Sequence, residues 1–275
     1  MEIATLLNTH CPLTTADTLE SIMTFVGGSV IVSIDGAAWN SFKEIKLPAY
    51  KLKGFYHNCP KSPYRNVALG LKTLYEKFPN SDWYLYTEHD CLFASDQFKK
   101  NLTIADKQDI WMLGNDGRQE RGKYQFPLIE AIINEKITTC HYLLGSCMFF
   151  CNEFMEKLAE LDFFNKLINI SSHFTEGYFP SYDGYDLSEH LYPTMATHLG
   201  GDIGSFAAWN QVTRAWTGSY SKFPVRWQPD LDPNTEDFKD ASIMHPLKDY
   251  NHPIRIKQRK RRKELWKNTT QWLSE

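Results

Sequence analysis

Short apolar runs alternate with longer segments of helical periodicity through the first third of the chain. Residues 3–8 and Val30–Ile34 are largely apolar or β-branched, a pattern typical of strands that are buried on both faces. Residues 16–25, which lie between them, carry apolar side chains at helical spacing, and Gly27 follows as a helix stop. The pattern predicts a strand, a helix and a second strand parallel to the first.

The same alternation continues into the next third of the chain. A short run at 54–57 predicts a third strand, and Ser62-Pro63 is a start signal for a largely apolar helix that ends near Lys77. Residues 82–87 then form an aromatic run of strand character. Strands that alternate with helices predict an α/β fold with a parallel sheet, and such sheets bind ligands beyond the carboxyl ends of their strands.

The second half of the chain mixes strands, helices and irregular stretches. The predicted elements are a strand at 110–113 that leads into a turn at 114–117, a strand at 141–150 that Gly145-Ser146 interrupts, and helices at 153–161, at 186–198 and from residue 254. The sequence therefore predicts one continuous domain over residues 1–250, followed by a basic helical tail at 251–275.

Charge is unevenly distributed along the 275 residues. The net charge of −3 gives no global signal for nucleic acid as a partner, whereas the segment from Arg255 to Lys267 is strongly basic. This segment fits either a solvated helix or a helix docked on anionic lipid, where each Lys or Arg contributes roughly 1 kcal/mol. The sequence leaves both interpretations open.

The six cysteines have neither C-x-x-C spacing nor the regular spacing of a small disulfide framework. We expect reduced thiols, with Cys140, Cys147 and Cys151 in apolar stretches, and a zinc site is the weaker alternative. The sequence contains no signal-type segment and no stretch of about 18 apolar residues. It therefore predicts a cytoplasmic protein, in which the basic tail is the candidate contact to the inner face of the membrane.

Two carboxylates stand at the predicted end of the aromatic strand. Glu88 and Asp90 are two residues apart, so an extended backbone turns their side chains to the same side. A cation relieves their mutual repulsion, and oxygen ligands of this kind suit Mg²⁺ or Mn²⁺ bound together with phosphates. A solvated acidic turn is the alternative for any isolated pair of this spacing.

The ordered series of these features resembles the GT-A fold of nucleotide-sugar-dependent glycosyltransferases over about the first 160 residues. The series consists of Asp35 after the second strand, the SPYRN helix start, the YLYTEHD strand end and the apolar LLGSCMFF strand. The resemblance implies a Rossmann-like nucleotide-sugar half at about 1–115, continuous with a smaller acceptor half at about 116–250. It also implies that Glu88 and Asp90 replace the metal-binding D-x-D of the family, with Glu as the first acid.

Residues on the nucleotide side take implied roles from the same resemblance. Arg65-Asn66 resemble a pair that positions the nucleotide, and Asp35 resembles the acid that contacts the base or ribose. Gly145-Ser146 are similar to the small-residue turn beside the donor sugar. The structural alternatives are a surface Arg with a satisfied Asn, an Asp-Gly turn and a β-bulge.

Two later segments extend the resemblance towards the reacting groups. His245 and Lys248, in SIMHPLKDY, are similar to a histidine that returns to the metal and a lysine that reaches the diphosphate. Asp186 and Glu189, in DGYDLSEH, are similar to the acids that supply the acceptor-activating base. Both acids also fit helix-capping roles, and capping does not exclude catalysis.

The resemblance implies a metal-dependent hexosyl- or related transferase of glycan biosynthesis. Its donor would be a UDP- or GDP-sugar, and its acceptor a hydroxyl of a glycan or lipid-linked molecule. A nucleotidyltransferase is the nearest alternative, but its Gly-rich phosphate loop is absent from the N-terminal LLNTHCPLTT segment. A catalytically silent binding protein of the same fold is the second alternative, and the presence of Glu88, Asp90 and His245 counts against it.

Overall fold

The computed structural model describes residues 1–55, 64–120, 130–131, 133–137, 139–169, 187–210, 213, 215–218, 222–223 and 241–272. The helices are α1 (Pro12–Phe25), α2 (Trp39–Phe42), α3 (Tyr64–Lys77), α4 (Phe98–Lys107), α5 (Asn152–Glu160), α6 (Phe163–Asn169), α7 (Leu187–His198) and α8 (Pro253–Trp272). The strands are β1 (Ile3–Thr9), β2 (Val30–Ile34), β3 (Tyr50–Lys53), β4 (Trp83–Glu88), β5 (Leu92–Phe93), β6 (Ile110–Glu120), β7 (Cys140–Cys151), β8 (Asp202–Ser205), β9 (Ala207–Asn210), β10 (Ala215–Gly218) and β11 (Ile243–Met244).

A seven-stranded sheet with the order β3-β2-β1-β4-β7-β6-β8 forms the centre of the fold. β7 is antiparallel to both of its neighbours, and the other neighbouring pairs are parallel. The predicted α/β class, a mainly parallel sheet flanked by helices, is therefore confirmed. Because β7 lies between β4 and β6, the sheet continues across the boundary predicted near residue 115.

The core is divided between the two faces of this sheet. In β4, Tyr84 and Tyr86 pack in one cluster with α3, α5, α6 and α7, whereas Trp83 and Leu85 pack in a second cluster with α1 and α4. The alternation follows from the two-residue period of a strand. Burial on both faces explains why β1, β2 and β4 are almost uniformly apolar in sequence.

The predicted order of strand, helix and strand at the start of the chain is observed, although α1 begins at Pro12 and not at residue 16. The end of α1 depends on Gly28, whose φ is +71° and whose added Cβ would lie 2.0 Å from the Ile3 carbonyl oxygen. Any other residue would clash with backbone there, so this glycine allows the chain to turn tightly into β2.

The structure differs from the sequence-based expectations in several places. The third strand is Tyr50–Lys53 and not 54–57. The turn expected at 114–117 lies within β6, where two register shifts absorb it and Asp116 has a φ of 52°. β6 pairs with β7 before and after this irregularity, at Asn115 and at Arg118, so the strand continues through the local turn signal. The helices α4 and α6 were not predicted.

The basic C-terminal helix packs against α1. Arg255 and Arg262 of α8 are 0% exposed, and their guanidinium groups pair with the carboxylate of Asp17 in α1. Side chains on the opposite side of α8, Lys257, Lys260 and Lys263 among them, are exposed. In the part of the chain that the structure describes, no helix combines the length and apolarity needed to cross a bilayer.

Candidate metal and nucleotide site

The acidic residues lie where the central strand leaves the sheet. Glu88 is the last residue of β4, and the chain then turns through His89 and Asp90 into the short strand β5. β11 pairs antiparallel with β5, with Met244 opposite Leu92. The Leu247 amide also donates to the Asp90 carbonyl, with an N···O distance of 2.8 Å. A segment more than a hundred residues away in sequence thus comes to lie beside the end of β4.

This pairing forms a cluster of Glu88, Asp90 and His245, hereafter the acid–histidine cluster. Their candidate ligand atoms all lie within 4.8 Å of one another, and His245 Nε2 is 3.4 Å from Asp90 Oδ1. Asp90 and His245 are each 5% exposed. Asp90 Oδ1 is buried and accepts no hydrogen bond from the described residues. Two carboxylates, one of them with a buried oxygen that accepts no hydrogen bond and faces the imidazole, and the imidazole itself fit a divalent cation such as Mn²⁺.

The charges of the cluster depend on one another. Burial raises the pKa of Glu88 above its ordinary value, and the charge of Asp90 adds to the effect. Burial opposes ionisation of Asp90, but the positive charge of His245 outweighs it and holds the pKa of Asp90 well below its usual range. Burial also opposes protonation of His245, yet the Asp90 carboxylate raises its pKa to about 9. Without metal, the imidazolium therefore acts as the cation between the two acids.

Mn²⁺ affinity is expected to rise with pH up to about 9, the pKa of His245 in the metal-free protein. A cation can bind the imidazole only after its proton has left, and the raised pKa of Glu88 acts in the same direction. Below that pH, each pH unit should therefore weaken binding by up to about tenfold, and binding of the metal should release a proton from the site. Calorimetric titrations in buffers of different ionisation enthalpy measure both quantities. An affinity that is independent of pH would contradict His245 as a ligand.

The side chains of Tyr86 and His89 point to different sides, because side chains alternate along a strand. The hydroxyl of Tyr86, two residues before Glu88, donates to Glu88 Oε1 at 2.8 Å. Burial and the charge of Glu88 raise the pKa of this tyrosine well above its ordinary value, so it remains a hydrogen-bond donor. His89 points elsewhere, with its ring edge-on to His10 at 4.3 Å, and burial lowers its pKa to about 4.

The predicted sugar-side turn lies next to the acid–histidine cluster. Thr87 pairs with Cys147 in the β4–β7 ladder, and the Thr87 hydroxyl donates to the Ser146 carbonyl at 3.2 Å. The Gly145 amide donates to Glu189 Oε1 at 2.6 Å, and an added Cβ on Gly145 would lie 2.8 Å from the Glu189 side chain. The structure thus brings Glu189, in the first turn of α7, to β7. Asp186 lies outside the described residues.

The predicted nucleotide-side residues gather around Phe55, just beyond the ends of β2 and β3. The Phe55 carbonyl accepts from the amide of Gly36, and the Phe55 amide donates to Asn66 Oδ1 at 2.6 Å. The Arg65 guanidinium lies 4.2 Å above the Phe55 ring, and its Nε donates to the Ile168 carbonyl. We call this group, completed by Asp35 beside Gly36, the Phe55 cluster.

Asp35 has a local partner in the Phe55 cluster. Its Oδ1 accepts from the Ala37 amide at 2.8 Å, as expected for a residue that shapes a turn. The contacts of Asp35 and Asn66 match the structural alternatives weighed from the sequence. Arg65 does not match its alternative of a surface arginine, because it is half-buried against Phe55 and Ile168. The roles of these three residues towards a nucleotide remain predictions, and the Phe55 cluster places all of them at one edge of the sheet.

The described cysteines, Cys11, Cys91, Cys140, Cys147 and Cys151, are all free thiols. Cys91 and Cys147 lie beside the acid–histidine cluster without joining it. Cys147 is 1% exposed, and burial raises its pKa well above the ordinary value.

Two residues of the site that the sequence analysis did not single out have signals in the sequence. Tyr86 lies two positions before Glu88 and so shares its side of the strand, which the period of β4 already implied. Phe55 lies inside the run expected to form the third strand, where an aromatic residue fits a core position equally well. The β5–β11 pairing had no sequence signal, since two-residue strands show no periodicity.

Comparisons with known proteins return likenesses in structure only. No family model matches the sequence, and no curated protein matches it. The chain is similar to a glycosyltransferase involved in the glycosylation of the major capsid of PBCV-1, with 12% identity and a TM-score of 0.44, over 96% of this chain and 100% of that one.

It is also similar to S. aureus TarS 1–349, with 13% identity and a TM-score of 0.35, over 58% of this chain and 49% of that one. The same protein in complex with UDP-GlcNAc gives 11% identity and a TM-score of 0.35. The chain thus spans about half the length of these TarS structures. Identities and TM-scores this low leave substrate and activity open, and the α/β fold is defined by the sheet topology itself.

Proposed function

We propose that this chain is a metal-dependent glycosyltransferase that moves a sugar from a UDP- or GDP-sugar to a hydroxyl of a glycan or lipid-linked acceptor. The observation that carries the proposal is the convergence of Glu88, Asp90 and His245, with ligand atoms within 4.8 Å of one another. The cluster lies at the carboxyl end of the central strand of a mainly parallel sheet, which is where such sheets bind ligands.

The acid–histidine cluster and Lys248 are assigned to the diphosphate of the donor. A divalent cation held by Glu88, Asp90 and His245 would neutralise charge on the departing nucleoside diphosphate. Lys248 is exposed, and its charge lowers the pKa values of both Glu88 and Asp90, which places it near them. An ammonium group is a suitable point charge for phosphate, so we assign Lys248 to the same leaving group.

The spacing of the two clusters fits a nucleoside diphosphate. β1 lies between β2 and β4, and neighbouring strands are about 4.8 Å apart, so the ends of β2 and β4 are separated by about 10 Å. A nucleoside diphosphate spans a comparable length. We therefore assign its base and ribose to the Phe55 cluster, with Asp35, Arg65 and Asn66 as their partners, and its phosphates to the acid–histidine cluster.

Glu189 and the Gly145-Ser146 turn are assigned to the sugar and the acceptor. Because Gly145 has no side chain, Glu189 can approach β7 closely at the point where β7 passes the end of β4. Ser146 is nearly buried there. Glu189 supplies a carboxylate at the same place. We propose that it accepts the proton of the acceptor hydroxyl, which requires hydrogen-bond reach in the bound complex. Asp186 is the second candidate for this role.

Nucleotide binding and turnover test the proposal directly. We expect UDP or GDP to bind the purified protein only with Mn²⁺ or Mg²⁺ present, and the matching nucleotide sugar to be slowly hydrolysed. EDTA should remove both properties, and added Mn²⁺ should restore them. Binding that ignores metal, or no binding of either nucleotide, would refute the proposal. Pyrophosphate release from a nucleoside triphosphate and a sugar phosphate would instead identify a nucleotidyltransferase.

We further propose that the exposed side of α8 contacts an anionic membrane surface that holds the acceptor. With Arg255 and Arg262 buried, this side still presents Lys257, Lys260 and Lys263, accompanied by Ile256, which is 51% exposed. Charge complementarity favours anionic lipid, because each lysine near such a surface contributes roughly 1 kcal/mol.

Co-sedimentation with vesicles of phosphatidylserine and phosphatidylcholine tests this contact. We expect binding at low salt that is lost at high salt and in a Lys257→Glu, Lys260→Glu variant. A variant with the same changes at the exposed Lys43 and Lys46, near α2, is the matched control and should still bind. Equal binding by both variants, or none by the wild type, would leave α8 as a solvated helix.

A further inference from the structure

The side chain of Arg255 joins three separate segments around the acid–histidine cluster. Its Nη1 donates to Asp17 Oδ2 at 2.7 Å, its Nη2 to the His89 carbonyl at 2.9 Å, and its Nε to the Leu247 carbonyl at 2.8 Å. His89 directly precedes the candidate ligand Asp90, and Leu247 lies two residues after His245. One guanidinium group therefore touches the backbone of both ligand-bearing segments.

α1 completes the connection from the other side. The Thr18 hydroxyl lies 2.7 Å from the His89 carbonyl oxygen and 2.8 Å from that of Cys91, so it contacts the backbone on both sides of Asp90. Asp17, beside Thr18, pairs with Arg255. The two ligand-bearing segments are thus fixed to each other and to α1.

The burial of this arrangement points to a role beyond stability. Arg255, Arg262 and Asp17 are at most 3% exposed, and the Asp17 carboxylate pairs with both of these guanidinium groups and, at 3.4 Å, with that of Arg259. Buried ion pairs contribute little net stability, because desolvation offsets their attraction, and apolar residues of similar size often do better. A rigid fork of donors can, however, hold several acceptors in fixed relative positions.

We propose that Arg255 is the positioning residue of the metal site: it fixes the turn that carries Asp90 against the segment that carries His245. This inference rests on the proposed function, since it takes these residues as ligands. Supporting residues of this kind typically change metal affinity by about 10- to 100-fold.

Arg262 provides a matched control within the same helix. It is equally buried and pairs with the same Asp17, but its hydrogen bonds among the described residues end on Asp17 and Glu20 of α1. Replacement of either arginine by methionine removes a buried charge opposite Asp17. Only the Arg255 change removes contacts to the two ligand-bearing segments.

The test compares Arg255→Met with Arg262→Met in metal-free protein. Mn²⁺ affinity is measured by electron paramagnetic resonance of the free ion, and amide hydrogen exchange is measured at Leu247, whose N–H donates to Asp90. We expect both variants to lose thermal stability. Only Arg255→Met should bind Mn²⁺ about 10- to 100-fold more weakly than the wild type. Only in this variant should the exchange rate, relative to the wild type, rise more at Leu247 than at the amides of β4.

Equal weakening in both variants would show a general effect of disturbing the contact between α1 and α8, and wild-type affinity in Arg255→Met would remove the role altogether. If Arg255→Met does not fold, Arg255→Lys replaces it. A lysine keeps the charge near Asp17 but cannot hold the His89 and Leu247 carbonyls together, so affinity should fall more than stability. A wild-type protein that binds no Mn²⁺ refutes the metal site itself, and exchange at Leu247 still reports whether Arg255 joins the segments.

Discussion

Replacement of Asp90 by asparagine is expected to weaken Mn²⁺ binding and nucleotide-sugar turnover by at least about a hundredfold. Substitution of a residue that only supports metal ligands already lowers metal affinity or activity by about 10- to 100-fold, and Asp90 is proposed as a ligand itself. Asparagine keeps the size of the side chain, so the change removes charge and leaves the shape of the buried site. Titration calorimetry and a nucleotide-release assay measure the two effects.

The same substitution has a second signature in the metal-free protein. The Asp90 carboxylate raises the pKa of His245 to about 9 against the effect of burial. Without that carboxylate, burial should dominate, and the pKa of His245 should fall below the value in the wild type. Imidazole resonances followed by NMR over a pH series measure this shift. An unchanged pKa would mean that the two side chains do not form the contact described here.

Asp96→Asn is the matched control for both measurements. Asp96 is an exposed aspartate six residues further along the chain, and the same chemical change there should leave affinity, turnover and the pKa of His245 as in the wild type. Asp90→Asn that loses turnover but keeps full metal affinity would contradict its assignment as a ligand. Circular dichroism confirms that each variant is folded.

The part of the fold that local sequence determines was predictable. β1, β2 and β4 are buried on both faces, so continuous apolar runs mark them, and α3 follows from its start signal and its apolar positions. Glu88 and Asp90 were predictable for the same reason, because a strand end and a two-residue spacing are local properties. β3 was displaced by several residues, since a short strand beside a loop carries little pattern.

Contacts between distant segments were not predictable from pattern. β5 and β11 are two residues long, and their pairing, which brings His245 to Asp90, joins segments about 150 residues apart in sequence. His245 was singled out by resemblance to a family and not by periodicity. Such contacts depend on the assembled core, which no local window contains.

The basic run of α8 illustrates the same limit. In sequence it reads as a uniformly solvated or lipid-facing segment, yet Arg255 and Arg262, seven residues apart, lie on one side of the helix. Only the position of Asp17 on α1 shows that this side is buried. A charge is identified as structural by its partner, and here the partner lies more than two hundred residues away.

Glu189 gives the second large expected effect, because a general base typically contributes about 10²- to 10⁴-fold to turnover. Glu189→Gln keeps an oxygen that can accept the Gly145 amide, whereas Glu189→Ala removes that acceptor. If Glu189 is the base, both variants should lose kcat to a similar extent and still bind nucleotide and metal. If it only positions Gly145, Glu189→Gln should keep most of its activity and Glu189→Ala should not.

The two outcomes can be told apart because Glu189→Gln removes only the carboxylate, whereas Glu189→Ala also removes the oxygen that accepts the Gly145 amide. Glu153→Gln, in the first turn of α5, is the control, since it also removes an acid from the first turn of a helix but away from the acid–histidine cluster. It should leave kcat unchanged. A base should also appear in the pH profile, as a loss of kcat at low pH in the wild type that Glu189→Gln abolishes. A profile that both proteins share would assign the proton transfer to another group.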